Sequence, residues 1–323
     1  MSTLSWPRVA VVGAGAVGGF FGGMLARAGA PVTLIGRPLH VDVWKREGLF
    51  LDGLAFQGVV PVDASTDVAS ARGAELVLFS VKTLDTDAAA RDLARVVGRD
   101  ALVVSLQNGV DNAARMRAAG LDPIAAVVYV AASMPAPGRV KHAGRGDLVV
   151  GDVPGRQGPP RDAALARVCA WFEAAGVPCR HSAGIEADLW IKLMANASLN
   201  PISAVVQTTY GDIVAMDESR EVVRQLVIEC VAVARAAGVA LPDADHVQTV
   251  WDFARKVGPV YSSTAQDLAR GKHTEIESLN GFVVRRGAEL GVPTPVNQAL
   301  LAMVKLRERQ LDQAVVGAER SRT

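Results

Sequence analysis

The chain has 323 residues, half of them hydrophobic, which is enough to bury one large core or two. Its 34 basic and 33 acidic side chains nearly cancel to a formal charge of +1, and no Arg- or Lys-rich run is interleaved with aromatics; both facts exclude a general nucleic-acid binder. Cys169, Cys179 and Cys230 are odd in number and widely spaced, and the five histidines show no HExxH spacing, so we expect reduced thiols in a cytoplasmic protein and no metal site.

Residues 9–12 form the first short apolar run, followed by a glycine turn and a helix to about residue 28. The uncharged stretch 9–26 is superficially like a membrane segment, and Gly15, Gly19 and Gly23 repeat a small-xxx-small spacing. Six glycines in those 18 residues make it a poor insertion signal, so no membrane span is expected. Runs at 31–35, 75–81, 101–106 and 124–130 are short, rich in valine and bounded by polar or turn residues, as strands are. A helical pattern at 85–97 lies between two of them. Strand and helix in alternation predict a parallel sheet with helices on both faces. Runs at 147–151 and 177–181 would add strands at the far edge, separated by a loop at 154–161 and a helix over 162–175.

From about residue 183 the strand signals fade. Val222, Val223, Leu226, Val227, Cys230 and Val231 recur at intervals of three and four, as one apolar helix face requires. Asp217 or Ser219 could cap that helix, and Gly238 and Pro242 would end it. Further helices are expected at 243–257, 260–270, 274–290 and 295–312, with a frayed tail at 317–323. The expected architecture is a Rossmann-type doubly wound α/β domain over residues 1–183, followed by an all-helical domain over 184–323.

The turn after the first strand fits G-x-G-x-x-G at Gly13, Gly15 and Gly18, with Ala14, Ala16 and Val17 between. Such a turn needs the first glycine for its tightness, the second for backbone approach to a pyrophosphate, and the third for close helix–sheet packing. The following helix start offers N–H groups and partial positive charge to phosphates. The second strand ends in Gly36 and Arg37 instead of the acidic residue that binds a ribose 2′-OH. A guanidinium without a carboxylate suits a 2′-phosphate, which predicts NADP(H) over NAD(H). Lys82 and Asn108 come just after the third and fourth apolar runs, at the strand ends where ligands bind in open α/β sheets.

In DLWIKLMANASLNP, residues 188–201, Lys192, Asn196 and Asn200 are spaced four apart, so on a helix they form one polar stripe. By spacing alone that stripe faces water or lines a cleft.

With these residues the chain resembles the ketopantoate reductases (2-dehydropantoate 2-reductases) over nearly its whole length. The resemblance rests on GAGAVGG, VKT, LQNG, the W-x-K-x₃-N-x₃-NP segment and KHTEIESLNG, in that order. It implies a Rossmann domain, a helical domain and an active site between them. NADPH would reduce the ketone of 2-dehydropantoate to (R)-pantoate, on the route to pantothenate and coenzyme A. Lys192 matches the catalytic lysine and Glu275 an active-site carboxylate beside substrate and cofactor. Asn196, Asn200 and Ser263 match substrate-binding residues. Lys82 and Asn108 match contacts to NADPH, with Asn108 also close to the substrate.

The chemistry agrees with that assignment. Hydride transfer to a ketone leaves charge on its oxygen, and an alkylammonium, with a reference pKa of about 10.4, can stabilise that oxygen and protonate it. Pro201 is expected to end or bend the helix and leave Asn200 near the rim.

Two departures bear on substrate. Eighteen residues after the lysine, where better-known members carry another substrate-binding Asn, this chain has Tyr210; and residues 131–135, where cofactor contacts are expected, match poorly. A paralogous reductase of another branched 2-oxo acid or bulkier ketone is therefore a second reading. A non-catalytic NADP(H)-binding redox sensor is a third, against which Lys192 and Glu275 speak. Helical domains of this kind often pair, which leaves a homodimer open.

Overall fold

The computed structural model describes residues 5–320, with side chains through residue 313. The chain divides into two compact units, one through Ile185 and one from Glu186.

The first unit contains, in chain order, β1 (Val9–Val12), α1 (Ala16–Arg27), β2 (Val32–Ile35), α2 (Pro38–Glu47), β3 (Leu49–Asp52), β4 (Gln57–Val60), β5 (Asp63–Ser65), β6 (Leu76–Phe79), α3 (Thr86–Ala94), β7 (Leu102–Ser105), α4 (Asn112–Ala118), β8 (Pro123–Ala136), β9 (Arg139–Gly151), α5 (Asp162–Ala174) and β10 (Cys179–His181). Among the described residues these strands form one sheet in the order β4-β3-β9-β8-β7-β6-β1-β2-β5, with β10 beside β9. From β5 through β8 every pairing is parallel. The chain starts in the middle at β1, steps to β2 on one side, and later crosses to β6 on the other. That reversal marks the switch point at which such sheets bind ligands.

The expected α/β class is what the structure contains, and β1 shows why. All four of its residues are buried. Val9 and Val11 face one core with Leu34, Phe21, Leu25 and Phe172; Ala10 and Val12 face another with Phe79, Ala90, Leu93 and Met116. A strand buried on both faces has no polar side to show, hence its unbroken apolar run. A fully buried side chain such as Phe21 contributes about 1.5–3 kcal/mol relative to exposure.

The far half of the sheet departs from expectation. The runs at 124–130 and 147–151 are the two ends of one long antiparallel hairpin, β8–β9. Register shifts after Tyr129, Ala131 and Ser133 break the two-residue alternation there, so half of each strand carries no strand pattern. The β3–β4 hairpin and β5 are buried on one face at most, so none of them carries the unbroken apolar run that marks β1, β6 and β7.

The second unit is all helical, as expected: α6 (Ile185–Val206, entering from the end of the first unit), α7 (Tyr210–Ala215), α8 (Asp217–Ala236), α9 (His246–Lys256), α10 (Ser263–Ala269), α11 (Asn280–Leu290) and α12 (Pro295–Arg320). Several bounds are corrected. Met216 occupies the N-cap position of α8, and neither Asp217 nor Ser219 caps it. The Ser219 hydroxyl instead donates to the carbonyls of Ile213 and Met216, tying down the end of α7. The helix expected over 260–270 starts only at Ser263, because the Ser262 side chain caps it through the N–H of Ala265. The span 274–290 breaks into a 3₁₀ turn at Ile276–Ser278 and then α11. Helix α12 continues through Arg320, so the first four residues of the tail expected to fray are helical, and 321–323 lie outside the described residues.

Pro201 does not end α6. The helix runs on to Val206 with the proline inside it, and Asn200, expected near a rim, is only 2% exposed. Among the described residues no helix is long and apolar enough to cross a membrane, and no group of three or more His, Cys, Asp or Glu could hold a metal.

Candidate active site

The glycine turn is built as its three glycines require. Gly13 has φ +82°, and a Cβ there would stand 2.6 Å from the backbone nitrogen of Val81. Its N–H and that of Ala14 donate to the Ile35 carbonyl at 3.0 and 2.9 Å, joining the turn to the end of β2. Gly18 has no room for a side chain: its Cβ would overlap the Ser80 hydroxyl and stand 2.8 Å from Val11 Cγ1. That hydroxyl donates to the carbonyls of Gly13 at 3.0 Å and Val12 at 3.3 Å, so Ser80 clamps the turn from β6. No sequence signal singled out Ser80.

Gly15 differs from both neighbours. It is exposed, and the nearest atom to a Cβ built on it is 3.9 Å away. As N-cap of α1 it supplies no side-chain acceptor, and the first turn, starting at Ala16 and Val17, carries no acidic residue. The Gly15 N–H donates to the Gly13 carbonyl at 2.6 Å, and the helix start beyond it presents open space and, among the described residues, first-turn N–H groups without an acceptor, with partial positive charge, which fits a dinucleotide pyrophosphate.

Arg37 lies just beyond β2, after Gly36, at the N-cap position of α2, and is exposed. Among the described residues its side chain makes no hydrogen bond or ion pair. Lys82 follows β6 and is exposed; Asn108 follows β7 and is half-buried. A buried polar network that sequence reasoning missed fixes these two strand ends. The Gln107 amide nitrogen donates to the Val81 carbonyl at 3.1 Å and to the Thr86 hydroxyl at 2.6 Å. That hydroxyl donates to Asn112 Oδ1 at 3.3 Å, and Asn112 Nδ2 donates to the Asn108 carbonyl at 2.6 Å. Gln107, Thr86 and Asn112 are all nearly fully buried, so leaving any of them unpaired would carry a desolvation cost of about 1–3 kcal/mol. Thus Gly13, Ala14, Gly15, Ala16, Val17, Gly18, Arg37, Lys82 and Asn108 all lie at the carboxyl ends of β1, β2, β6 and β7, or in the turn and helix start that follow β1.

In the second unit, Lys192 and Asn196 lie half-buried on α6, while Leu193 and Met194 are buried in the core. Asn200 continues the stripe into the interior. Its Oδ1 accepts from the Tyr210 hydroxyl at 2.8 Å, and its carbonyl accepts from the Ser262 hydroxyl at 3.2 Å. Tyr210 packs with Leu199, Ile213, Val223 and Val227, and burial pushes its phenol pKa well above the usual range. Ser263, next to the bonded Ser262, is exposed at the first position of α10.

Glu275 is half-buried and opens the 3₁₀ turn before α11. Its neighbour Thr274 is held by α12: backbone N–H and hydroxyl both donate to Glu308 Oε1 at 2.7 Å. Glu308, 34 residues away in sequence, had no signature of its own.

A doubly wound sheet with a dinucleotide-type turn, followed by a helical unit presenting lysine and asparagines from one helix, defines a nicotinamide-dependent oxidoreductase. The chain belongs to the ketopantoate reductase family: residues 9–155 match the family model for ketopantoate reductase PanE/ApbA, and residues 184–308 match the model for its C-terminal part. It is 33% identical to the 2-dehydropantoate 2-reductase of Halobacterium salinarum, over 94% of this chain and 99% of that one. It is 30% identical to that of Pyrococcus horikoshii, over 93% and 97%. Among solved structures, the PanE/ApbA family ketopantoate reductase from Ralstonia eutropha JMP134 is 46% identical, over 94% of this chain and 99% of that chain, with a TM-score of 0.87. A D-mandelate dehydrogenase solved with NADH and anilino(oxo)acetate has a TM-score of 0.84 at 23% identity, a likeness of fold alone.

Proposed function

We propose that this oxidoreductase uses NADPH to reduce 2-dehydropantoate to (R)-pantoate, on the cytoplasmic route to pantothenate and coenzyme A. The observation that carries the proposal is Lys192 on α6, one turn from Asn196, in a chain whose other unit carries the glycine turn. In this reading residues 1–183 hold the cofactor and 184–323 hold the substrate and the proton donor.

Bound NADPH supplies the hydride. Lys192 attracts the substrate carboxylate, stabilises the ketone oxygen as it gains charge, and gives that oxygen a proton. Asn196, Asn200 and Ser263 hold the carboxylate and hydroxyl without adding charge. Glu275 binds a substrate hydroxyl or orients Lys192, and it also contacts the cofactor. Lys82 and Asn108 hold the cofactor between two strand ends that the Gln107 network keeps in place, and Asn108 reaches the substrate.

In this reading Arg37 holds the 2′-phosphate; its exposed guanidinium just beyond β2 supports that role. Arg37→Asp should reverse the preference, cutting kcat/KM for NADPH by about 10- to 100-fold, the loss of one to two charge-assisted bonds, while NADH is spared. An unchanged NADPH-to-NADH ratio removes Arg37 from the cofactor site.

The function itself is tested by following nicotinamide absorbance with 2-dehydropantoate and a panel of other 2-oxo acids. NADPH oxidation no faster than background with 2-dehydropantoate rejects the proposal. Tyr210 supports a second reading, since it fills core volume and engages the Asn200 amide. If that geometry reshapes the substrate pocket, another branched 2-oxo acid will give the highest kcat/KM of the panel.

A further inference from the structure

Helix α6 carries a proline in its interior, 16 residues after its start at Ile185. A proline there removes one i→i−4 hydrogen bond and pushes its ring toward the carbonyl it fails to bond. For Pro201 that carbonyl belongs to Ala197, one residue beyond Asn196. A buried carbonyl left so is costly, and helices with such a break usually kink.

The missing donor comes from another helix. Asn280, at the first position of α11, donates from Nδ2 to the Ala197 carbonyl at 2.9 Å. Asn280 is fully buried. The same nitrogen also donates to Asn297 Oδ1 at 3.0 Å, and Asn297 Nδ2 donates to Glu229 Oε2 at 2.7 Å. Glu229 is held in turn by the backbone N–H groups of Val296 and Asn297, each at 2.9 Å, at the start of α12.

The direction of this chain is set at its far end. The Glu229 oxygens accept from three N–H groups, so Asn297 must turn its nitrogen toward them and its oxygen toward Asn280. Asn280 must then turn its own nitrogen back, and that nitrogen meets Ala197. The cost of this orientation is visible: among the described residues, Asn280 Oδ1 is buried with no partner. The amide is held as a donor even at the expense of its own acceptor.

We infer that Asn280 is a positioning residue. Its side-chain N–H replaces the backbone N–H that Pro201 lacks, keeping α6 continuous so that Lys192 and Asn196 stay in register on its polar face. The bond is a structural observation; its role in turnover rests on the assignment of Lys192 as proton donor.

The test is a double-mutant comparison of Asn280→Ala, Pro201→Ala and the combined variant with wild type, read by thermal unfolding, NADPH affinity and kcat on the 2-oxo acid the enzyme reduces best. Asn280→Ala should lower kcat by about 10- to 100-fold, the scale expected when a reacting group is displaced by a fraction of an ångström to one ångström, with NADPH affinity unchanged. Pro201→Ala restores the backbone N–H, so the combined variant should recover most of the lost kcat and most of the lost Tm. Recovery of Tm alone would show the bond but overturn the positioning role. Recovery of neither, or wild-type kcat in Asn280→Ala, overturns the inference. If Asn280→Ala does not fold, the combined variant decides: it must fold and turn over. Should 2-dehydropantoate prove not to be a substrate, the functional assignment falls, yet the coupling between positions 201 and 280 is still read in the unfolding data and in turnover of the preferred 2-oxo acid.

Discussion

Lys192→Ala is expected to lower kcat by roughly 100- to 10,000-fold, the range that a positioned general acid contributes, while NADPH affinity stays near wild type. Lys192 belongs to the second unit, and the glycine turn, Arg37 and Lys82 belong to the first, so removing the amine should leave the phosphate contacts proposed for the cofactor intact. Alanine has the highest helix propensity and α6 should keep its form. On the proposed assignment of Lys192, what disappears is the cation that stabilises the ketone oxygen and the proton that quenches it. An added primary amine small enough to enter the space left by the side chain should restore part of the rate, and restoration by amine but not by neutral additives separates acid chemistry from packing. Unchanged turnover in Lys192→Ala would mean that the lysine is not the acid. An absence of any turnover in wild type, with NADPH still bound tightly, would instead support a nucleotide sensor.

What could be read from sequence follows from how local the causes are. The strands β1, β6 and β7 are buried on both faces, so each writes its position as an unbroken apolar run. The glycine turn was legible because backbone conformation and close packing at Gly13 and Gly18 admit no other residue. The helical half showed its period in α8, whose buried face includes Val223, Leu226, Val227 and Cys230. The middle of the β8–β9 hairpin was not legible, since its register shifts erase the alternation by which strands are recognised.

The support of the site was hidden for a different reason. Ser80 clamps a turn 67 residues away, and Asn280 completes a helix 83 residues away. Neither partner shares a motif or a period with the other, so only the folded chain pairs them. Pro201 illustrates the limit: by itself it predicts a helix end or bend, and the helix does not end there, because a donor from another helix replaces the one it lacks.

The second large effect separates what the glycine turn does for the fold from what it does for the ligand. Gly13→Ala should destabilise the protein and abolish NADPH binding together. The residue must keep φ +82°, and its Cβ would stand 2.6–2.7 Å from the backbone of Val81, which belongs to the β6 end and cannot move without disturbing Ser80 and the Gln107 network. Left-handed backbone alone costs a non-glycine residue about 1–2 kcal/mol, and the overlap adds to it. Gly15→Ala should behave otherwise. Its φ of −84° suits any residue, and a Cβ finds nothing within 3.9 Å. Stability should stay within about 0.5 kcal/mol of wild type, as for surface substitutions generally. NADPH affinity should nevertheless fall by an order of magnitude or more, about 1.4 kcal/mol per tenfold step, because the new methyl group occupies the space into which the pyrophosphate must come. Thermal unfolding in the absence of nucleotide, paired with titration by NADPH, measures both. If Gly15→Ala binds NADPH as tightly as wild type, the open space before α1 is not where the pyrophosphate sits, and the crevice at the β1–β6 switch point loses its assignment as the cofactor site.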